Sequence, residues 1–133
     1  MCNIFFLQID VKEIKMVINN GHGMEDGSKD NIQIHLEQLL QSKFCKTTKL
    51  GNFSSGETLT WKLEKLGNCN EVKFDTAKAA IDFQIMTDGN DDFCPALVEV
   101  IMRDEAKSSY FTENMDCNYN KSKNYKKHIA NKQ

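Results

Sequence analysis

The sequence predicts an all-β domain, an eight-stranded antiparallel β-sandwich, and three observations carry that prediction. Short apolar runs alternate with polar residues at period two, the pattern of strands with one buried face. These runs recur at short intervals between turn-rich connections, and no long stretch shows helical spacing. The clearest example is residues 81–100, IDFQIMTDGNDDFCPALVEV, where two alternating runs flank an acidic connection that closes on Cys94 and the only proline. Ile81, Phe83 and Ile85 share one face before it, and Val98, Val100 and Met102 share one after it.

Residues 11–18 form the first strand, with Ile14, Met16 and Ile18 on one side. Residues 19–30 hold three glycines and no apolar periodicity, and a loop of this length in a small domain tends to be functional. Residues 31–36 resume alternation with Ile32, Ile34 and Leu36 inward. Residues 37–42 fit a helical turn or an extension of that strand equally well. A third strand at 44–50 and a turn-rich stretch at 51–56 lead to a fourth strand at 57–61, with Leu59 and Trp61 toward the core. Leu63 and Leu66 pack beneath a connection ending at Gly67 and Asn68, and residues 69–74 form a fifth strand burying Val72 and Phe74. The pair within 81–100 supplies strands six and seven, and residues 109–111 the eighth. The chain thus divides into an N-terminal segment 1–10, a sandwich 11–117 and a lysine-rich tail 118–133, which Tyr119 and Tyr125 anchor.

A chain of 133 residues suits one hydrophobic core. Hydrophobic residues at 40% and charged residues at 27% place it among globular proteins. The net charge of −2 is unevenly spread: Lys121, Lys123, Lys126, Lys127 and Lys132 face no acid, while residues 1–117 hold all nineteen acids against twelve bases. An acidic body lacks the clustered basic face that a phosphate backbone requires, which argues against a nucleic-acid partner. The longest unbroken apolar run, residues 4–7, falls far short of the roughly 20 residues of a membrane-spanning helix, so no transmembrane segment is expected. The first residues do not fit an intact secretory signal either.

Five cysteines are scattered with no C-x-x-C pair, which removes the usual zinc and thioredoxin signatures and favours disulfides. Two glycosylation sequons, at Asn52 and Asn120, point the same way, toward an extracellular protein. Cys69 and Cys94 adjoin strand ends beside the acidic connection, so the expected bridges are Cys69–Cys94 and Cys45–Cys117, with Cys2 left over.

Two loops offer the oxygen ligands that calcium prefers: Glu25, Asp26, Asp30 and Asn31 in the first, and Asp88, Asn90, Asp91 and Asp92 in the second. The competing reading is that Asp, Asn and Gly are what turns are made of. Met24 and Phe53 are candidate loop-tip contacts for a lipid surface, whereas Phe93, beside Cys94 and Pro95, fits the core better. His22, His35 and His128 are isolated, and no G-x-S-x-G, H-E-x-x-H or phosphate-loop motif is present, so no enzyme is expected.

Three stretches resemble the PLAT, or lipoxygenase-homology, family. Gly27-Ser28-Lys29-Asp30-Asn31-Ile32-Gln33-Ile34 is similar to the family's motif after a glycine-rich loop, with Lys29 where many members carry an acid. Gly56-Glu57-Thr58 through Trp61 to Leu66-Gly67 looks like its middle strands, and residues 87–100 like its acidic turn before a Val-x-Val strand. The resemblance implies an eight-stranded sandwich that binds rather than catalyses, through calcium-assisted contact with a lipid surface or contact with a protein partner. The expectation is a secreted, non-enzymatic binding module using loops at one end of the sandwich, with calcium as a cofactor. The alternative is a small secreted toxin or inhibitor that binds a specific receptor or glycan.

Overall fold

The period-two runs fold as strands with one face closed. The computed structural model describes residues 8–19, 27–38, 43–75, 80–103, 108–115 and 122–130. Among these the strands are β1 (Gln8–Ile18), β2 (Ile32–Gln38), β3 (Lys43–Lys46), β4 (Thr58–Lys62), β5 (Lys73–Asp75), β6 (Ala80–Thr87), β7 (Pro95–Arg103), β8 (Ser108–Asn114) and β9 (Asn124–Ala130). One sheet runs β4-β1-β7-β8, with β5 also on β1; the other runs β3-β2-β6-β9. All pairings are antiparallel. The all-β sandwich is therefore present, with nine strands among the described residues instead of eight.

β1 is the hub of its sheet, paired to β7 on one edge and to β5 and then β4 on the other. Its inward residues change parity, from Ile9 and Val11 to Ile14, Met16 and Ile18, and all five are buried. The register against β7 slips between Val11 and Glu13, and such a bulge inserts the one residue needed to keep both apolar sets on the core side. From the other sheet, Ile32, Ile34, Leu36, Ile81, Phe83 and Ile85 complete the core.

β6 and β7 are consecutive in sequence but lie in different sheets, so residues 88–94 cross between layers and do not turn a hairpin. The lysine-rich tail also departs from expectation: β9 pairs with β6 from Ala80↔Ala130 to Met86↔Asn124. Lysine and asparagine on an edge strand hid its period, and only Tyr125 among its described side chains packs on the core. Tyr119 lies outside the described residues.

The third strand is shorter than expected because Thr47 turns inward. Its Oγ1 accepts from Ile34 N (3.0 Å), taking the place of a ladder carbonyl. The segment Leu63–Asn70 forms two short 3-10 turns joined at Gly67 (φ 57°). Lys46 N donates to Asn68 Oδ1 (2.8 Å) and Thr48 Oγ1 to Lys65 O (3.1 Å), so the segment lies along β3 and shields an edge that would otherwise be open. Leu66 is buried there, whereas Leu63, expected beneath the connection, is 65% exposed.

This docking corrects the disulfide assignment. Cys45 is bridged to Cys69, with Cα atoms 4.9 Å apart, and neither Cys69–Cys94 nor Cys45–Cys117 forms. Cys69 is carried over β3 by the 3-10 turns, while Cys94 sits in the crossing, near the opposite end of β2. Cys94 is disulfide-bonded as well. Cys2 and Cys117 lie outside the described residues.

Gly67 combines a left-handed φ with a backbone approach so close that a Cβ would collide with Lys46 O. Gly67→Ala is expected to lower the unfolding free energy by about 1–3 kcal/mol, measured by urea titration of the oxidised protein. An unchanged midpoint would show that the 3-10 turns do not need this geometry.

Asp10 and Lys73 face each other across β1 and β5, and Lys73 Nζ lies 2.7 Å from Asp10 Oδ1. Burial pushes the Asp10 carboxyl up, but Lys73 and then Lys12 more than offset this and leave it below its ordinary 3.8. A carboxyl depressed in the folded state stabilises above its unfolded value and loses that contribution as pH falls through the folded one. Asp10→Asn should therefore lower stability at neutral pH and flatten the acid limb of a pH–stability curve below 3.8. Parallel wild-type and variant curves would refute the pairing.

Candidate functional site

At one end of the sandwich the two acidic loops do meet. Asp91 N donates to Asp30 Oδ2 (2.7 Å), and Lys29 N donates to Asp91 Oδ2 (2.6 Å). Ser28 Oγ accepts from Asp30 N (3.1 Å) and donates to Asp91 O (3.3 Å), and Asp88 N donates to Asn31 O (3.0 Å). Gly89 is fitted against the Asp30 carboxylate so closely that any Cβ there would collide with it. Asp88 pairs with Lys49 (3.5 Å), Asn90 is exposed and Asp92 is half-buried. Asp30 and Asp91 thus brace loop against loop, each accepting from a backbone N–H that would otherwise lack a partner. Met24, Glu25 and Asp26 lie outside the described residues, and among those described no group of His, Cys, Asp and Glu is arranged to hold a metal.

Phe53, expected at a loop tip, is buried at 5% exposure. It packs edge-on against Phe93 (5.8 Å), which packs in turn on Tyr125 (5.1 Å). The Tyr125 hydroxyl donates to Phe93 O (2.5 Å) and accepts from Ser122 N (2.9 Å). Two backbone bridges, Ser28↔Phe53 and Phe93↔Ser122, hold these aromatics under the loops. Phe53 therefore belongs to the core, as expected of Phe93, because its backbone pairing with Ser28 turns the ring inward. Asn52 and Ser54 of its sequon are left exposed on either side, and the second sequon residue, Asn120, lies outside the described residues.

A second feature lies on the outer face of the β3-β2-β6-β9 sheet. The register places Phe44 opposite Glu37, Glu37 opposite Asp82 and Asp82 opposite His128, so one row crosses all four strands. The next row holds Lys46, His35, Gln84 and Lys126. His128 Nδ1 lies 2.6 Å from Asp82 Oδ1, and Gln84 Nε2 donates to Asn124 Oδ1 (2.9 Å). Phe44 is 48% exposed and stands edge-on to the His35 ring at 5.3 Å. His35 Nε2 is buried with no hydrogen-bond partner. Burial, and after it the charge of Lys46, hold the His35 imidazole below its ordinary 6.5, so it is neutral at physiological pH. These side chains, Lys46 and Asn124 apart, line an open groove of about 440 Å³.

Sequence reasoning placed none of these groove residues in a site. The usable signal was the outward parity of each strand, which puts an aromatic, two carboxylates and two histidines on one face; without β9, His128 had no position there. Fold and groove together define the class: an antiparallel β-sandwich with a polar, aromatic-edged groove on one sheet. No family model matches the chain, and no curated protein matches it. No helix among the described residues is long and apolar enough to cross a membrane.

The bracing role of the loop acids sets an expectation. Asp30→Ala and Asp91→Ala should each cost about 1–3 kcal/mol in urea unfolding, and the double variant less than their sum, because both act across one contact. Single variants with wild-type midpoints would return these acids to the pool of free loop ligands.

Proposed function

We propose that this chain is a non-enzymatic, extracellular recognition module that holds its ligand in the groove on the outer face of the β3-β2-β6-β9 sheet. The observation that carries this reading is the Phe44–Glu37–Asp82–His128 row. Like charges directly opposite in a sheet cost up to about 1 kcal/mol, and an exposed His–Asp pair returns at most about that much. Phe44, nearly half exposed, adds little. Folding alone therefore gives no reason to gather these side chains, whereas a bound partner does.

Extracellular placement is supported by the Cys45–Cys69 bridge, the disulfide at Cys94 and the exposed Asn52 sequon. The resemblance to PLAT domains supports binding over catalysis. A lipid surface engaged through the loop end, with calcium, keeps the exposed Asp88 and Asn90 in its favour but loses Phe53 as an inserting side chain.

The test presents wild type, a groove variant (Glu37→Gln with Phe44→Ala) and a loop variant (Asp88→Asn with Asn90→Ala) to three probes. These are phosphatidylcholine–phosphatidylserine vesicles with and without calcium, arrayed extracellular proteins and arrayed glycans. The expected result is one probe class whose binding falls at least about tenfold in the groove variant and persists in the loop variant. Loss confined to the loop variant, or no binding to any class, would overturn the proposal.

A further inference from the structure

We infer that the ligand of this groove is an uncharged carbohydrate, with a sugar ring against Phe44 and vicinal hydroxyls on Glu37 and Asp82. The inference rests on the groove being the binding site and concerns what it takes.

Charge comes first. Glu37 and Asp82 are matched on this outward face by Lys126 and Lys46, so the groove offers neither the single-sign field that captures an anion nor the one that captures a cation. No metal-type cluster exists among the described residues to claim the two carboxylates. An uncharged ligand fits this balance.

Hydrogen-bonding capacity narrows the class. Carboxylates only accept, and two of them directly opposite, with Cβ atoms about 5 Å apart, call for several donors in close succession. Adjacent sugar hydroxyls are such donors, and each also accepts. Lys126 and the second N–H of Gln84 can donate in return, since Gln84 spends one N–H on Asn124. Asp82 is held in place by His128, so part of the acceptor array is set before a ligand arrives.

Shape agrees with this chemistry. A sugar ring is polar at its rim and apolar on its C–H faces, so it needs one flat apolar support beside polar groups, a mixture typical of small-ligand sites. Phe44 supplies that support, and its edge-on contact with His35 fixes the ring. The volume of about 440 Å³ matches a short oligosaccharide segment better than a broad protein footprint. A lipid surface would want a larger apolar patch than Phe44 alone provides.

The full-length oxidised chain is applied to an array carrying uncharged glycans (hexose-, N-acetylhexosamine- and fucose-terminated) beside sialylated and sulfated ones. Phe44→Ala, Asp82→Asn and the near-isosteric Glu37→Gln are run in parallel, each checked for a wild-type circular dichroism spectrum and unfolding midpoint. The inference expects binding to at least one uncharged glycan, weakened at least about tenfold by Glu37→Gln or Asp82→Asn and by Phe44→Ala. That binding should change little between about 0.15 M and about 1 M salt, because no ion pair is screened. Binding only to charged glycans, or to none, overturns the carbohydrate. If arrayed proteins or vesicles are bound instead and lost in the same variants, the groove stands and its ligand class falls. Glycan binding untouched by every groove variant overturns the groove as well.

Discussion

The crossing between β6 and β7 is the constraint on which the rest of this molecule depends. The chain leaves one sheet at Thr87 and enters the other at Pro95, so the two layers are covalently joined there and must be held at a fixed spacing. Two reciprocal devices do this. Above, Asp30 and Asp91 each accept from the opposite loop's backbone; below, Phe93 fills the gap between Phe53 and Tyr125 and accepts the Tyr125 hydroxyl at its carbonyl. Asn19 adds a further tie, donating its backbone N–H to Cys94 O (3.0 Å) and its side-chain amide to Cys94 Sγ (2.9 Å). A loop this occupied with its own bonding is a rigid rim, and its acids answer first to the fold.

The same crossing fixes the far sheet. Because Ser122 bridges to Phe93 and Tyr125 bonds its carbonyl, the chain is delivered to the free edge of β6 in register to add β9. That addition brings His128 across from Asp82 and completes the outward row. At the other end of β2, the Cys45–Cys69 bridge and the Asn68–Lys46 bond hold β3 and hence Phe44. The groove is thus framed by two anchored edges, each stabilised by contacts that do not themselves face it.

Much of this architecture was legible in the sequence, because a strand with one wet face writes its period directly: Ile32, Ile34, Leu36 and Ile81, Phe83, Ile85 read as core and are core. The bulge in β1 was not legible, since the shift from Val11 to Ile14 looks the same as a strand simply beginning at Ile14. β9 was obscured because, among its described side chains, Tyr125 packs on the core while the lysines imitate a solvated tail. The disulfide could not be read from spacing, as Cys45 and Cys69 meet through 3-10 turns that leave no simple period. Asp30 and Asp91 stood in two separate candidate loops, and turn chemistry and ligand chemistry use the same residues, so only their hydrogen bonds to each other's loop show the bracing role. The groove was not legible for a related reason: its side chains are each ordinary on a strand's wet face and gain meaning only in register.

On the proposed reading, recognition falls on a sheet face backed by the core, with the loops acting as frame. Backbone amide shifts, followed by two-dimensional ¹H–¹⁵N NMR while an uncharged oligosaccharide is titrated into the labelled chain, test that claim most directly. The shifts should concentrate at Glu37, Phe44, Asp82, Gln84 and His128, with Asp88, Asn90 and Asp91 unmoved. Shifts centred on Asp88 to Asp91, with the sheet face silent, would contradict it.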